Sequence, residues 1–298
     1  MPSPPIAPDG QLHRTSHQVE AEAPADIVYG LLADAERWPL IFPPTVHVHR
    51  TDGHAGPGSS GGGRGTERLA IWATANGTLK HWTSRRTLDP VARRIDFRQE
   101  VPAPPLRSMG GSWTVRELGP ARCRITLLHD FSVAGDRPED VAWVLRATDT
   151  NSTAELGRLA RLAARPRRLD GMLFAFADSL RIEAEGIGAR GVAGGGPALD
   201  GSDHARLWPG REAVAVRPPD SGRLVFKVPE PDVPLAVHTG SWTAAADGPD
   251  ALTVTVRQQV VLRPEADVPR IRQHVREDLG RGARAALTRF RDGHVLIL

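Results

Sequence analysis

Apolar and polar residues alternate one for one from His13 to Glu22, with His17, Val19 and Ala21 opposing Gln18, Glu20 and Glu22, and this two-residue period predicts a first β-strand. The period then lengthens. Ile27, Val28, Leu31 and Leu32 form one stripe at helical spacing, Pro24 suits a first turn and Asp26 complements the positive end of the dipole, so a short helix follows. It ends before Trp38-Pro39, because proline disfavours α geometry in the residue preceding it. Thr45 to Thr51 reads as a strand, residues 52–65 as a glycine-rich mobile loop, and residues 94–100, 108–117 and 122–133 as further strands.

Asn76-Gly77 supplies the two positive-φ positions of a tight turn, which makes the residues after it the second arm of a hairpin. Along that arm Lys80, Trp82, Ser84, Arg86 and Leu88 share one face, and His81, Thr83, Arg85 and Thr87 the other. Turned inward, Arg86 is a buried permanent cation that needs a partner or a task; turned outward it is a solvated charge, and alternation does not choose between them. On the strand 122–133, Cys123, Ile125, Leu127, Phe131 and Val133 share a face with His129, the one strongly polar group there. A long helix then starts at Asp136 as cap, with Pro138 in the first turn and Glu139 and Asp140 behind it. Its apolar face runs through Val141, Val144, Leu145, Thr148, Ser152, Leu156 and Leu159, and Asp149 falls on this buried side.

The second half repeats the first. A shift of 129 residues pairs Arg94 with Arg223, Phe97 with Phe226, Pro105 with Pro234, Gly111-Ser112-Trp113-Thr114 with Gly240-Ser241-Trp242-Thr243, and Thr126 with Thr255. Nearer the start, Val19-Glu20-Ala21-Glu22 matches Ile182-Glu183-Ala184-Glu185 at a shift of 163, so the second copy is expected to be 34 residues shorter before Arg223. Leu207-Trp208-Pro209 echoes Arg37-Trp38-Pro39, but no second version of the strand bearing Trp82, Ser84 and Arg86 follows it, and Gln258 stands in the place of His129. The second half therefore reads as a structural partner of the first.

A chain of 298 residues is too long for one ordinary core and fits two domains. The expected division is residues 13–165, a linker at 166–171, and a shortened repeat at 172–298. With 40% apolar and 24% charged residues, no apolar run long enough to span a bilayer and no signal-peptide pattern at the start, a cytoplasmic location without a membrane partner is expected. The single cysteine, Cys123, excludes an internal disulfide and a multi-cysteine metal site. Only 5% of residues are aromatic and they form no ladder with the arginines, which argues against nucleic acid.

Glu36-Arg37-Trp38-Pro39-Leu40-Ile41-Phe42, Ala75-Asn76-Gly77 through His81-Trp82-Thr83-Ser84-Arg85-Arg86, Gly111-Ser112-Trp113-Thr114 and Asp149-Thr150-Asn151-Ser152-Thr153 together resemble the bacterial aromatic polyketide aromatase/cyclases, in their two-domain form. The resemblance covers most of residues 13–165 and, more loosely, 172–298. It implies an α+β architecture of two tandem START-like helix-grip domains, each an antiparallel sheet curled around a long C-terminal helix and enclosing a cavity. The cavity would receive a poly-β-ketone tethered to an acyl carrier protein and direct its first ring closure and dehydration, in a monomer or homodimer, with no metal and no organic cofactor. Carried onto this chain, the family's cavity arginine falls on Arg86, its neighbours on Trp82 and Ser84, its wall tryptophans on Trp38 and Trp113, and a polar position on His129. Asn151, in the Asp149 stretch, is a further candidate for contact with substrate.

On that reading Arg86 would stabilise the enolate and alkoxide oxygens, His129 would shuttle protons and assist the loss of water, and Asp149 would orient His129. The competing expectation is a non-catalytic carrier or chaperone of hydrophobic ligands on the same fold. Arg161, Arg165, Arg167 and Arg168 offer a basic surface that an acidic carrier protein, or merely solvent, would satisfy.

Overall fold

The alternating segments become strands where their periodicity sets them. A computed structural model describes residues 10–52, 64–164, 171–183, 204–208, 211–219, 221–263 and 268–291. Of the loop expected at 52–65, Asp52 ends one strand and Gly65 begins another, while residues 53–63, like the basic segment from 165 to 170, Pro209 and Asp267, lie outside the described residues. The chain divides into two compact units, residues 1–36 with 48–164, and residues 37–47 with 165–298.

The first unit is built on β1 (His13–Ala21), α1 (Ala25–Ala33), β2 (Thr45–Asp52), β3 (Gly65–Ala75), β4 (Thr78–Asp89), β5 (Arg94–Val101), β6 (Leu106–Gly119), β7 (Arg122–Val133) and α3 (Pro138–Ala163). Its seven strands lie in the order β1-β7-β6-β5-β4-β3-β2, an antiparallel meander closed by pairing of the first strand with the last. Asn76 and Gly77 both take positive φ in the β3–β4 turn, as a tight hairpin requires. At α3 the expectation needs correction: Arg137 occupies the N-cap position, while Asp136, at φ 46°, accepts a hydrogen bond from the Gln11 backbone nitrogen at 3.0 Å. The buried face of α3 is carried by Val144, Thr148, Ser152, Leu156 and Leu159, which leaves Leu145 and Asp149 at the rim.

In the second unit β8 (Leu173–Glu183), β9 (His204–Trp208), β10 (Arg211–Val216), β11 (Arg223–Val228), β12 (Leu235–Ala246) and β13 (Ala251–Leu262) form a six-stranded sheet in the order β8-β13-β12-β11-β10-β9, followed by α4 (Val268–Arg291). The order repeats that of the first sheet without a counterpart of β2. A strand stands in the place of β4 but, as expected, without its Trp, Ser and Arg. It is β10, and Ala215 pairs with Phe226 where Arg86 pairs with Phe97. The strand survives because its apolar residues suffice for pairing; the cation does not.

Sheet register also corrects the alignment of the first strands. Val19 pairs with Ile125, and Leu180 pairs with Val254, the residue equivalent to Ile125. Leu180, not Ile182, is therefore the counterpart of Val19. A two-residue slip leaves every side chain on its proper face, so alternation alone cannot detect it.

Residues 37–47 include α2 (Trp38–Ile41), one turn further of helix than proline at position 39 suggested; Pro39 sits in the first turn, where its missing N–H costs nothing. Lys227 fastens this segment. Buried on the face of β11 opposite Phe226, its Nζ donates to the carbonyls of Pro39, Phe42 and Thr45 at 2.9, 2.7 and 2.7 Å.

Candidate active site

On the inner face of the first sheet, which looks toward α3, register sets out a row running Thr15, His129, Gly111, Phe97, Arg86 and Glu67 across β1, β7, β6, β5, β4 and β3. Gly111 is required there: a Cβ would lie 1.9 Å from the Leu128 carbonyl oxygen and 2.9 Å from the Phe97 ring. Phe97 thus lies across the glycine, between the arginine and the histidine, and meets the His129 ring edge-on at a centroid distance of 5.6 Å.

Arg86 points inward and is only 2% exposed. Its partners are nevertheless protein groups. Nε donates to the Glu67 carboxylate, Nη1 to the Leu32 carbonyl at 2.8 Å, and Nη2 to the Ala33 carbonyl. Glu67, buried as well, is shared with Arg50, whose Nε lies 2.8 Å from the other carboxylate oxygen. The guanidinium therefore ties β4 to the last turn of α1, where unsatisfied helix carbonyls favour a cation.

The inner face is graded along the strands. At one end Leu88, Ile95, Trp113, Val115, Cys123, Ile125 and Leu127 are buried, and α1 brings Val28 and Leu32 to the same core. Toward the other end His13, Thr15, His17, Phe97, Gln99, Met109 and His129 face inward with partial exposure, beside Phe131 and Val133, which are buried against Val144 of α3. Polar atoms collect at this open end. His13 Nε2, Thr15 Oγ1, His17 Nδ1, Gln99 Oε1 and His129 Nδ1 are each buried as atoms yet have no hydrogen-bond partner among the described residues. Native proteins leave few such groups, so a cluster of five on one face singles it out as the candidate site. Burial, with a smaller contribution from the neighbouring His17, pushes the His129 pKa down to about 4, so its imidazole is neutral near pH 7.

The expected Asp149–His129 contact is not formed. Asp149 sits at the rim with its side chain 75% exposed and meets His17, Nε2 to Oδ1 at 3.0 Å. The alternating pattern identified β1 but gave its inward histidines no role; His13 and His17 are the site residues that sequence reasoning missed. The signal was present, since His13, Thr15 and His17 occupy one face at the strand period.

The remaining candidates are divided. Trp82 is half-buried on the face predicted for it, next to Ser84, whose hydroxyl donates to the Arg98 carbonyl at 3.2 Å. Trp113 belongs to the packed end. Asn151 donates from Nδ2 to the Thr74 carbonyl at 3.0 Å and so ties α3 to β3. Trp38 belongs to the second unit, packed edge-on against Phe42 at 5.4 Å. On the opposite face of the first sheet a groove of about 720 Å³ is lined by Ser16, Thr87, Asp96, Arg98, Ser112 and Asp130. It is roomy enough for a ligand, and four of its charged groups are matched in pairs, Arg98 gripping Asp130 and Arg94 gripping Asp96.

Residues 21–155 match the family described as polyketide cyclase/dehydrase and lipid transport. The granaticin polyketide synthase bifunctional cyclase/dehydratase of Streptomyces violaceoruber is 35% identical over 94% of this chain and 94% of its own. The actinorhodin polyketide synthase bifunctional cyclase/dehydratase of Streptomyces coelicolor is 34% identical, covering 92% and 95%. Among solved structures, the di-domain ARO/CYC BexL from the BE-7585A biosynthetic pathway superposes with a TM-score of 0.67 at 33% identity over 95% of this chain and 98% of that one. With two sheets in the same strand order, a long helix closing each, and relatives that match it from end to end, the chain belongs to the polyketide cyclase/dehydrase family, in its di-domain aromatase/cyclase form.

Proposed function

We propose that the chain closes and dehydrates the first ring of a carrier-bound poly-β-ketone at the open end of the first unit's inner face. The observation that carries this reading is the set of unpartnered polar atoms at that end, from His13, Thr15, His17, Gln99 and His129, with Phe97 and Trp82 supplying apolar wall between and beside them. Such a surface suits a poly-β-ketone: carbonyl oxygens along the chain accept hydrogen bonds from side chains or bound water, and the CH₂ groups between them need an apolar wall. A methylene flanked by two carbonyls is acidic enough for a neutral imidazole to deprotonate, and the imidazolium so formed can return the proton to the new alkoxide oxygen. His129 is neutral near pH 7 and faces this surface.

The role of Arg86 changes with its partners. An arginine held by Glu67, Leu32 and Ala33 acts by fixing α1 against the sheet, which sets the boundary between the packed and open ends. It is here a positioning residue. Partial exposure along the inner face favours a cavity with a task over a solid core, and the family's cyclase/dehydratases favour chemistry over simple carriage. The acyl carrier protein remains the expected donor of substrate.

The test supplies the full chain with carrier-bound poly-β-ketone made in situ by a minimal polyketide synthase, and resolves the products by chromatography and mass. The native chain should give one dominant cyclised product. His129→Gln should slow its formation by roughly 100-fold and let spontaneous products accumulate. An unchanged rate and product profile for His129→Gln would overturn the reading.

A further inference from the structure

His17 and Asp149 form a polarised pair. Asp149 takes the Nε2 side of the ring at 3.0 Å, which fixes the proton on Nε2 and leaves the Nδ1 lone pair free. That Nδ1 is buried and has no hydrogen-bond partner among the described residues. His17 belongs to the inner face of β1, one step along from Thr15, the direct partner of His129. Among the described residues, the titratable groups that His17 meets are Asp149 on α3 and His129 on β7.

We propose that His17 is a catalytic base and acid of the cyclisation, with Asp149 as its positioning residue. This rests on the reading that the open end of the first unit holds the polyketide. In ring closure Nδ1 takes a proton from a methylene, and the C–H electron pair passes through the enolate to form the new C–C bond at a distant ketone carbon. The ketone oxygen, left as alkoxide, receives the proton back from Nδ1. In dehydration Nδ1 removes a second proton from the same carbon, the C–O bond breaks, and the departing oxygen takes that proton to leave as water. Protons and electrons balance without an oxidant or reductant. The Asp149 carboxylate stabilises the imidazolium that exists between the two transfers.

The second unit supplies the control for a merely structural tie. Phe176 pairs with Gln258 as Thr15 pairs with His129, which makes Asp178 the counterpart of His17. Asp178 is bound by Arg284 of α4 at 2.6 Å. A strand-to-helix pair thus starts from the same strand position in both halves, yet only the first leaves a buried imidazole nitrogen with no hydrogen-bond partner among the described residues. If joining strand to helix were the whole role, the pair from the second unit would serve equally well.

The experiment introduces that pair into the full chain, His17→Asp with Asp149→Arg, beside His17→Gln, Asp149→Asn, Asp149→Glu and His129→Gln, using poly-β-ketone on its carrier protein from a minimal synthase. The exchanged variant should fold with an unchanged melting temperature and lose turnover by roughly 100-fold, as His17→Gln does. Asp149→Asn should lower kcat by about 10-fold or more at unaltered KM, with Asp149→Glu restoring most of it. Nitrogen-15 spectra of labelled histidine should show a single Nε2–H tautomer at position 17 that Asp149→Asn converts to a mixture; this readout stands even if the exchanged variant fails to fold. Turnover within twofold of native in the exchanged variant or in His17→Gln, with His129→Gln impaired, overturns the assignment of His17 alone. Native turnover in both His17→Gln and His129→Gln overturns the siting of the reaction as well.

Discussion

Glu67→Gln tests the claim that Arg86 works through structure. The substitution keeps the shape of the side chain but removes a carboxylate bonded to a guanidinium that is 2% exposed, and takes it from Arg50 as well. Stranding a buried charge costs about 3–5 kcal/mol. For a unit of this size each kcal/mol lowers the melting temperature by about 2–4 °C, so a fall of about 6–20 °C is expected. Arg86→Met leaves Glu67 paired with Arg50 but deprives the Leu32 and Ala33 carbonyls of their donor, at about 1–3 kcal/mol each. The double variant should be less destabilised than the two single costs summed, because the amide introduced on β3 then faces no stranded guanidinium on β4; a coupling of about 2–3 kcal/mol is expected. The assay is urea unfolding followed by tryptophan fluorescence, with turnover measured on whatever remains folded. Single variants that unfold at the native midpoint while losing all turnover would refute the structural role and return Arg86 to the chemistry.

Three further outcomes follow from the same geometry. Because the folded-state pKa of His129 is held at about 4 against 6.5 for the free side chain, its neutral burial contributes fully above pH 6.5 and is lost as pH falls toward 4, by at most about 3 kcal/mol; urea midpoints between pH 7 and 4.5 should show this slope, and His129→Gln should flatten it. Gly111→Ala should abolish folding, since its Cβ would sit 1.9 Å from a backbone oxygen, whereas Gly30→Ala on α1, with nothing within 4 Å, should be stable by circular dichroism. Lys227→Met should release residues 37–47 from three carbonyl contacts and make that segment the first point of cleavage in limited proteolysis, without initial loss of the β-sheet signal.

How much could be read from residue order differs between sheet and site for a physical reason. Alternation fixes which residues share a face, so the grouping of Lys80, Trp82, Ser84, Arg86 and Leu88, and the isolation of His129 among buried apolar neighbours, match the structure. Alternation is blind to who meets a charged group once it is inside. Glu67 lies 19 residues before Arg86 and reaches it only because β3 and β4 pair in that register. Asp149 was placed by helical spacing on the buried side, but the helix is rotated so that Thr148 and Ser152 face in, and the carboxylate reaches the edge strand instead of β7. The exchange of segment 37–47 between units left no mark in local pattern, since its anchor, Lys227, looks like any exposed strand lysine until the fold is known.

Comparing the two halves position by position supports siting the proposed chemistry in the first. Where β1 presents His13, Thr15 and His17, β8 presents Phe174, Phe176 and Asp178, and both phenylalanines are buried in the core. Gln258, replacing His129, is 0% exposed; its Oε1 takes His238 Nε2 at 2.9 Å and its Nε2 donates to the Leu279 carbonyl at 3.3 Å, so it has a partner at each end. Ala215 replaces Arg86, and with no cation there no buried carboxylate is required to answer it. Apart from Asp178, which pairs with Arg284, these changes turn an unpartnered or ionic group into an apolar or hydrogen-bonded one, which is the direction that fills and stabilises a core. Such a face has little left to offer a substrate carbonyl. The same strand order thus supports two outcomes: an inner face filled mainly by apolar and hydrogen-bonded groups, and one that keeps imidazole nitrogens without partners among the described residues.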